Sequence, residues 1–339
     1  VKLLIAGAGG YLGIPIVNAL LERGHYVVAL DRWFFGKYPA PHPKLGIEKD
    51  DIRKTNILDI GREELPYEAV IDLAGLSNDL TSDIDPDLTR SINIEGGKRL
   101  ATLAKQAGVK RYVYSSSASV YGAAAKPNLT ETDECRPLTL YARSKVEVED
   151  HLRSIAGDGF EPVILRNATV FGVAPRMRFD LAVNVMTLRS FRYGRIMVMG
   201  SGDQWRPFVA VKDVVSAFIL AVEFPSKDVS GQTFNIGTSN LTIGQLAKKV
   251  KNHFPMAETL TIPDDPDRRS YSCSFDKINT LASKWADPVS IESEIDCMAK
   301  MLRSGELKDA PETYTLQYYK SLLSWEKRLS EIRLDGRIL

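Results

Sequence analysis

The chain has 339 residues, a formal net charge of +1 and 26% charged residues. That length accommodates about two domains, and the near-neutral charge argues against nucleic acid or an anionic membrane as the main partner. No apolar stretch reaches the ~20 residues needed to span a bilayer, and Cys135, Cys273 and Cys297 show neither disulfide nor zinc spacing, which fits a reducing cytoplasm.

The N-terminus enters an apolar run at once, so no signal peptide is expected. Val1 to Ala6 reads as a buried strand that ends in the glycines Gly7, Gly10 and Gly13. Ile14, Val17, Leu20 and Leu21 then recur at helical spacing, Arg23-Gly24 closes the helix, and Val27 to Leu30 is a second buried strand. Glycines at such a turn let the chain bend tightly and let a pyrophosphate approach the free N–H groups of the new helix. Gly7, Gly10, Tyr11, Leu12 and Gly13 are therefore candidate dinucleotide contacts. Asp31, at the end of the second strand, suits the adenosine ribose hydroxyls. Arg32 could reach a 2′-phosphate, but the Asp31 charge repels one, so NAD is expected rather than NADP.

A proline-rich loop (Pro39, Pro41, Pro43) follows. Lys54 to Asp59 reads as a short strand end that places Asn56 or Ile57 near an adenine, with Asp59 capping a helix from Ile60. Ala69 to Gly75 is another buried strand, and Leu73, Ala74 and Gly75 are small or apolar residues past which the dinucleotide can run. Leu88 to Ala107 reads as one long helix containing Asn93, either a solvated polar position or an amide orienting a lysine or water. Arg111 to Ser117 is a strand running into serines, at the end where open α/β sheets bind ligands. Tyr141 to Leu152 reads as a helix that puts Tyr141 and Lys145 on one face. Strands follow at Pro162–Arg166, Phe208–Val211 and Gln232–Gly237, with Asp213 capping a helix from Val214 to Val222. An amphipathic helix spans Ile243 to Phe254, and helical stretches interrupted at Pro288 run from Leu281 to Leu302. The tail from Pro311 is too apolar for disorder.

Ser117, Tyr141 and Lys145 form a chemically sensible set. An ammonium beside a phenol favours the phenolate, so Tyr141 can take a proton from a sugar hydroxyl as hydride leaves the carbon. Ser117 can hydrogen-bond the same oxygen, Lys145 can hold the nicotinamide ribose, and Ser115 and Tyr141 are further candidate cofactor contacts. The four scattered histidines give no metal-ligand pair, and no metal is expected.

These motifs resemble the extended short-chain dehydrogenase/reductases, specifically the NAD-dependent nucleotide-sugar epimerase/dehydratase family. The residues carrying the resemblance are the three glycines, Asp31, Leu73 to Gly75, Asn93, Ser115 to Ser117, Val120 to Gly122, Tyr141 and Lys145. Leu165-Arg166, Phe171-Gly172, Arg206 to Asp213 and Phe234 to Gly237 extend it across most of the chain. The resemblance implies an α/β fold, a Rossmann-type doubly wound parallel sheet with a smaller C-terminal substrate domain. Residues 1–166 and 205–237 would bind NAD, and residues 167–204 and 238–339 would bind a nucleotide diphosphate sugar.

Family dehydratases carry an Asp-Glu pair after the catalytic serine or threonine. Here Ala118-Ser119 stands there, which resembles the UDP-galactose 4-epimerase arrangement and brings Ser119 to the substrate. The family's usual substrate asparagine is replaced by Thr169. Arg206 and Arg269 match the family's diphosphate arginines. Arg176 and Arg178, and the segment Asp265 to Tyr271, resemble a narrower subgroup that includes GDP-heptose 4-dehydrogenase-like enzymes; both arginines are expected to line the sugar or diphosphate pocket. Asn184 is a further expected polar contact to the nucleotide. The resemblance implies a 4-epimerase working through a 4-keto sugar, with a C4 dehydrogenase or 4-keto reductase as alternatives built from the same residues. Non-catalytic dinucleotide-sensing regulators on this fold commonly lose the tyrosine or the lysine, and both are present here. The resemblance also implies a homodimer, through helices around Asn93–Ala107 and Tyr141–Ile155.

Overall fold

A computed structural model describes residues 1–56, 66–123, 126–263, 269–281, 287–333 and 337. Ile57, Asp59, Ile60 and the segment from Asp265 to Arg268 lie outside the described residues.

In chain order the first elements are β1 (Lys2–Ala6), α1 (Gly13–Glu22), β2 (Tyr26–Asp31), β3 (Leu45–Lys49), β4 (Ala69–Asp72), α2 (Asp79–Ser82) and α3 (Pro86–Thr89). A π-helical segment (Arg90–Gly96) leads into α4 (Gly97–Gln106), followed by β5 (Arg111–Ser117), α5 (Leu140–Ile155), β6 (Glu161–Asn167) and β7 (Thr169–Phe171). Next come α6 (Ala182–Tyr193), β8 (Arg195–Met199), β9 (Trp205–Ala210), α7 (Val211–Glu223), α8 (Ser226–Val229), β10 (Thr233–Ile236) and β11 (Ser239–Thr242). The chain ends with α9 (Ile243–His253), β12 (Glu258–Ile262), α10 (Asp276–Leu281), α11 (Ile291–Ser304) and α12 (Thr315–Ile332).

Seven strands form one sheet in the order β10-β6-β5-β4-β1-β2-β3, and every pairing is parallel. Alternate residues of each strand serve opposite faces. Leu3 and Ile5 join α1 and α7 through Val17, Leu20, Val214 and Phe218. Leu4 and Ala6 join α4 and α5 through Leu100, Ala104, Val148 and Leu152. Covering both faces explains why these strands read as continuous apolar runs. Strand order reverses at β1, so the crevice outside the ends of β1 and β4 is where such a sheet accepts a ligand.

A second layer lies beyond this sheet. Strands β11, β9 and β7 form a three-stranded sheet, and β12 pairs with β8. Helices α6, α9 and α11 bury Val183, Met186, Leu246, Val250, Ile295 and Met298 in its core. The segment 205–237 is shared between layers: β9 belongs to the small sheet, whereas α7 and β10 return to the large one. No helix among the described residues is long and apolar enough to cross a membrane.

Some local readings change. Strand β3 was not legible, because it is an edge strand with mostly exposed side chains. From Asp51 the chain makes a turn, with Lys54 N–H and Thr55 N–H both donating to Asp51 O at 2.8 Å, rather than a strand end. The helix expected from Leu88 to Ala107 begins at Pro86 and carries a π-helical stretch in its middle. Helix α7 starts at Val211 with Ala210 as its cap, so Asp213 sits inside the first turn and its carboxylate accepts the Val289 N–H at 3.1 Å. The apolar tail folds as α12, whose Tyr318 hydroxyl donates to Phe34 O at 3.0 Å.

Candidate active site

The crevice at the reversal point is a cavity of about 620 Å³ that runs from Asp31 to Tyr141. At one end the turn after β1 has Gly7 at φ +82°, where a Cβ would meet Leu73 C at 2.7 Å. A Cβ on Gly13 would overlap the Gly7 carbonyl, so α1 can begin this close to the turn only with glycine there. The Asp31 carboxylate accepts N–H groups from Gly9 at 2.9 Å and Trp33 at 2.7 Å, and burial raises its pKa. Arg32 pairs with Asp51 at 3.2 Å and lies over Phe34. Gly7, Gly10, Tyr11, Leu12, Asp31, Arg32, Leu73, Ala74 and Gly75 all line the cavity. Gly13 and Asn56 do not, whereas Asp50, Asp51 and Ile52, a few residues before Asn56, do.

At the other end, β5 delivers Ser115 and Ser117, and α5 delivers Tyr141 and Lys145. Thr139 caps α5 by accepting the Ala142 N–H at 3.1 Å, while its hydroxyl donates to Asp79. Lys145 Nζ donates to Ser115 O at 2.8 Å and lies 5.6 Å from the Tyr141 ring centre. Burial pushes the Lys145 pKa down to about 8, against the pull of Asp72 and Glu149. The Tyr141 phenol is pushed up to about 12, mainly by burial and then by the Asp79 charge, with Ser117, Arg178 and Arg269 acting in the opposite direction. The sequence expectation of a lowered phenol is therefore not met by the protein groups alone.

Asn93 is buried, and its amide exchanges hydrogen bonds with Leu76, accepting from N–H at 2.8 Å and donating to O at 3.1 Å. It also donates to Ser144 Oγ at 3.5 Å, so it fixes the turn after Gly75 rather than the Lys145 ammonium. Asn184 does not line the cavity. Its amide is taken up by Gly172 N–H, the Tyr11 hydroxyl and Arg178 O, which makes it a strut between layers.

Ser119, Thr169, Arg176, Arg178, Arg206 and Arg269 line the cavity. Arg178 forks onto Asp180 at 3.0 Å and reaches Ser77 Oγ at 3.2 Å. Arg206 donates to Trp205 O at 2.8 Å, and Arg269 pairs with Asp79. The Ser119 hydroxyl and Asn167 Oδ1 are buried against the cavity with no hydrogen-bond partner among the described residues. Sequence reasoning missed Asp79, Asn167, Asp180 and Tyr319. For Asp79 a signal existed, since it sits in the loop after β4, on the ligand-binding edge of the sheet.

The profile of the NAD dependent epimerase/dehydratase family matches residues 3–237. The chain belongs to that family. It is an enzyme and its cofactor is NAD, and the close glycine turn, the Asp31 carboxylate and the length of the crevice fit that dinucleotide. The chain is 29% identical over 273 residues to a UDP-glucose 4-epimerase of Mycolicibacterium smegmatis, covering 78% of this chain and 85% of that protein. It superimposes on the UDP-glucose 4-epimerase of Thermotoga maritima with UDP-glucose at a TM-score of 0.80 and 26% identity, covering 91% and 100% of the two chains. MoeE5 in complex with UDP-glucuronic acid and NAD aligns at a TM-score of 0.79 and 25% identity, covering 90% and 100%.

Proposed function

We propose that the enzyme inverts C4 of a nucleotide diphosphate sugar through a 4-keto intermediate. The observation that carries this reading is the convergence of Ser117, Tyr141 and Lys145 in the crevice that the glycine turn opens. NAD supplies a hydride acceptor and, when oxidised, a positive charge beside the phenol. Tyr141 Oη removes the C4 hydroxyl proton and later returns one. Lys145 and the cofactor charge oppose the burial that raises the phenol, bringing it toward a working range. Ser117 Oγ donates to the C4 oxygen as it becomes a carbonyl, Ser119 and Thr169 contact the sugar, and Arg178, Arg206 and Arg269 face its diphosphate. Where family dehydratases carry two carboxylates this chain has Ala118 and Ser119, both buried, which supports a reaction without elimination.

In this reading residues 1–166 and 205–237 serve the dinucleotide, and 167–204 and 238–339 serve the sugar nucleotide. The three cysteines are free, which supports a cytoplasmic setting. Incubation with UDP-glucose, UDP-glucuronic acid and other nucleotide sugars, with products resolved by NMR, is expected to show C4 epimers without net change in NADH absorbance. Tyr141→Phe is expected to lower turnover by about 100-fold or more. Stoichiometric NADH formation would point to a dehydrogenase instead, and no conversion of any sugar nucleotide would sink the proposal.

The same family reading carries a homodimer built on α4 and α5. These helices lie side by side, joined by Lys98 and Glu147 at 3.1 Å and by Thr102 and His151 at 3.0 Å. Sedimentation equilibrium is expected to give twice the chain mass, and a monomer at micromolar concentration would exclude it.

A further inference from the structure

Arg176 is 3% exposed and lines the crevice. One guanidinium nitrogen donates to Thr315 Oγ1 at 2.9 Å, and its Nε has no partner among the described residues. No carboxylate lies within ion-pair distance of it among the described residues, and burial together with the like charge of Arg178 lowers its pKa to about 10. An unpaired buried guanidinium is costly unless an anion meets it.

Its position says which anion. The guanidinium lies 3.7 Å from the ring centre of Phe35. Phe35 in turn packs on Tyr318 and Tyr319 of α12, at 5.5 and 5.6 Å between ring centres. Phe35 follows β2 and Asp31, at the adenosine ribose end, and Arg178, two residues beyond Arg176, reaches Ser77 in the loop after β4 and lines the crevice with Tyr141. Arg176 thus stands between the adenosine ribose end and the nicotinamide end of the crevice. A dinucleotide lying between those ends carries its pyrophosphate there, across from Gly7 and Gly10.

We infer that Arg176 is a ligand of the NAD pyrophosphate and that α12, through Thr315 and Tyr319, holds it in place and closes the crevice over the cofactor. This rests on reading the glycine turn as the dinucleotide site. It moves Arg176 from the sugar side, where its sequence context puts it, to the cofactor side. It also gives a role to α12, which lies beyond residues 3–237 matched by the family profile.

The test is NAD and NADH binding to the full chain by calorimetry, with release timed by stopped-flow fluorescence, all without sugar nucleotide. Arg176→Gln is expected to weaken NAD by about 10- to 100-fold, as loss of a charge-assisted pair does, and to leave the sugar-nucleotide KM at saturating NAD within about threefold. Thr315→Val removes only the hydroxyl that orients the guanidinium, so it tests the idea without loss of a charge; faster NAD release is expected. Tyr319→Ala is expected to speed release as well, and Trp325→Ala, exposed on the same helix, to leave it unchanged. If Arg176→Gln keeps wild-type NAD affinity and release, or raises only the sugar-nucleotide KM, the inference is overturned. Gly10→Val separates the two readings: if it loses NAD while Arg176→Gln does not, only the Arg176 assignment fails. If Gly10→Val binds NAD normally, the glycine-turn reading fails and the inference falls with it.

Discussion

At the scale of single residues, the proposed proton chemistry turns on a contest around Tyr141. Burial alone would leave its phenol too weak an acid to work near neutrality, and Asp79 makes this worse, because a negative charge next to a phenol opposes the phenolate. Asp79 is itself held by Arg269 and by the Thr139 hydroxyl. Asp79→Asn removes the opposing charge and leaves Arg269 uncompensated, and both changes favour phenolate. The lower pH limit of turnover is expected to move down by about half to one pH unit. A profile that stays in place or moves up would show that Asp79 does not bear on the phenol.

At the scale of elements, the sequence was legible wherever the physics is local. The glycine turn declares itself because a strand, three glycines and a helix follow each other within a few residues. Tyr141 and Lys145 declare themselves because one helical turn separates them. Asp79, Asp180 and Tyr319 did not, because their neighbours come from distant parts of the chain: Asp79 meets Arg269, and Asp180 accepts from Asn78. Asn93 shows the same limit in a subtler form. Its position on a helix was plain, but the π-helical stretch around it was not, since one widened turn hardly disturbs an apolar pattern. That stretch presents Asn93 to the Leu76 main chain, which its helical context alone could not reveal. Strand β3 was invisible for the opposite reason: an edge strand with four exposed residues out of five, one of them Gly46, has no apolar signature to read. Helix α12 was foreseen only as an apolar tail, and its contact with Phe34 and Phe35 spans nearly the whole chain.

At the scale of the whole molecule, the sheet that builds the site also bears its cost. Beneath the crevice lie Lys145, Asp72, Glu149 and Arg166, all buried. Glu149 and Arg166 pair at 2.7 Å and compensate each other. Lys145 is less well served, with its pKa lowered to about 8 from 10.5 mainly by burial. Between those two values the unfolded chain binds a proton that the folded chain releases, so stability from this group rises with pH across that window. It is fully present above about 10.5 and lost as pH falls through about 8. At neutral pH the folded protein therefore carries a charged lysine at a cost of roughly 3 kcal/mol. Lys145→Met removes that cost but also the hydrogen bond to Ser115 O, worth ~1 kcal/mol. Denaturant unfolding at pH 7 is expected to find the variant more stable by about 1–2 kcal/mol, inactive, and losing this advantage as pH approaches 10. Equal or lower stability at pH 7, or a difference that does not change with pH, would mean that the ammonium is not strained. In the proposed mechanism, retaining Lys145 then reflects function over stability, since the fold would be firmer without the group that this chemistry uses.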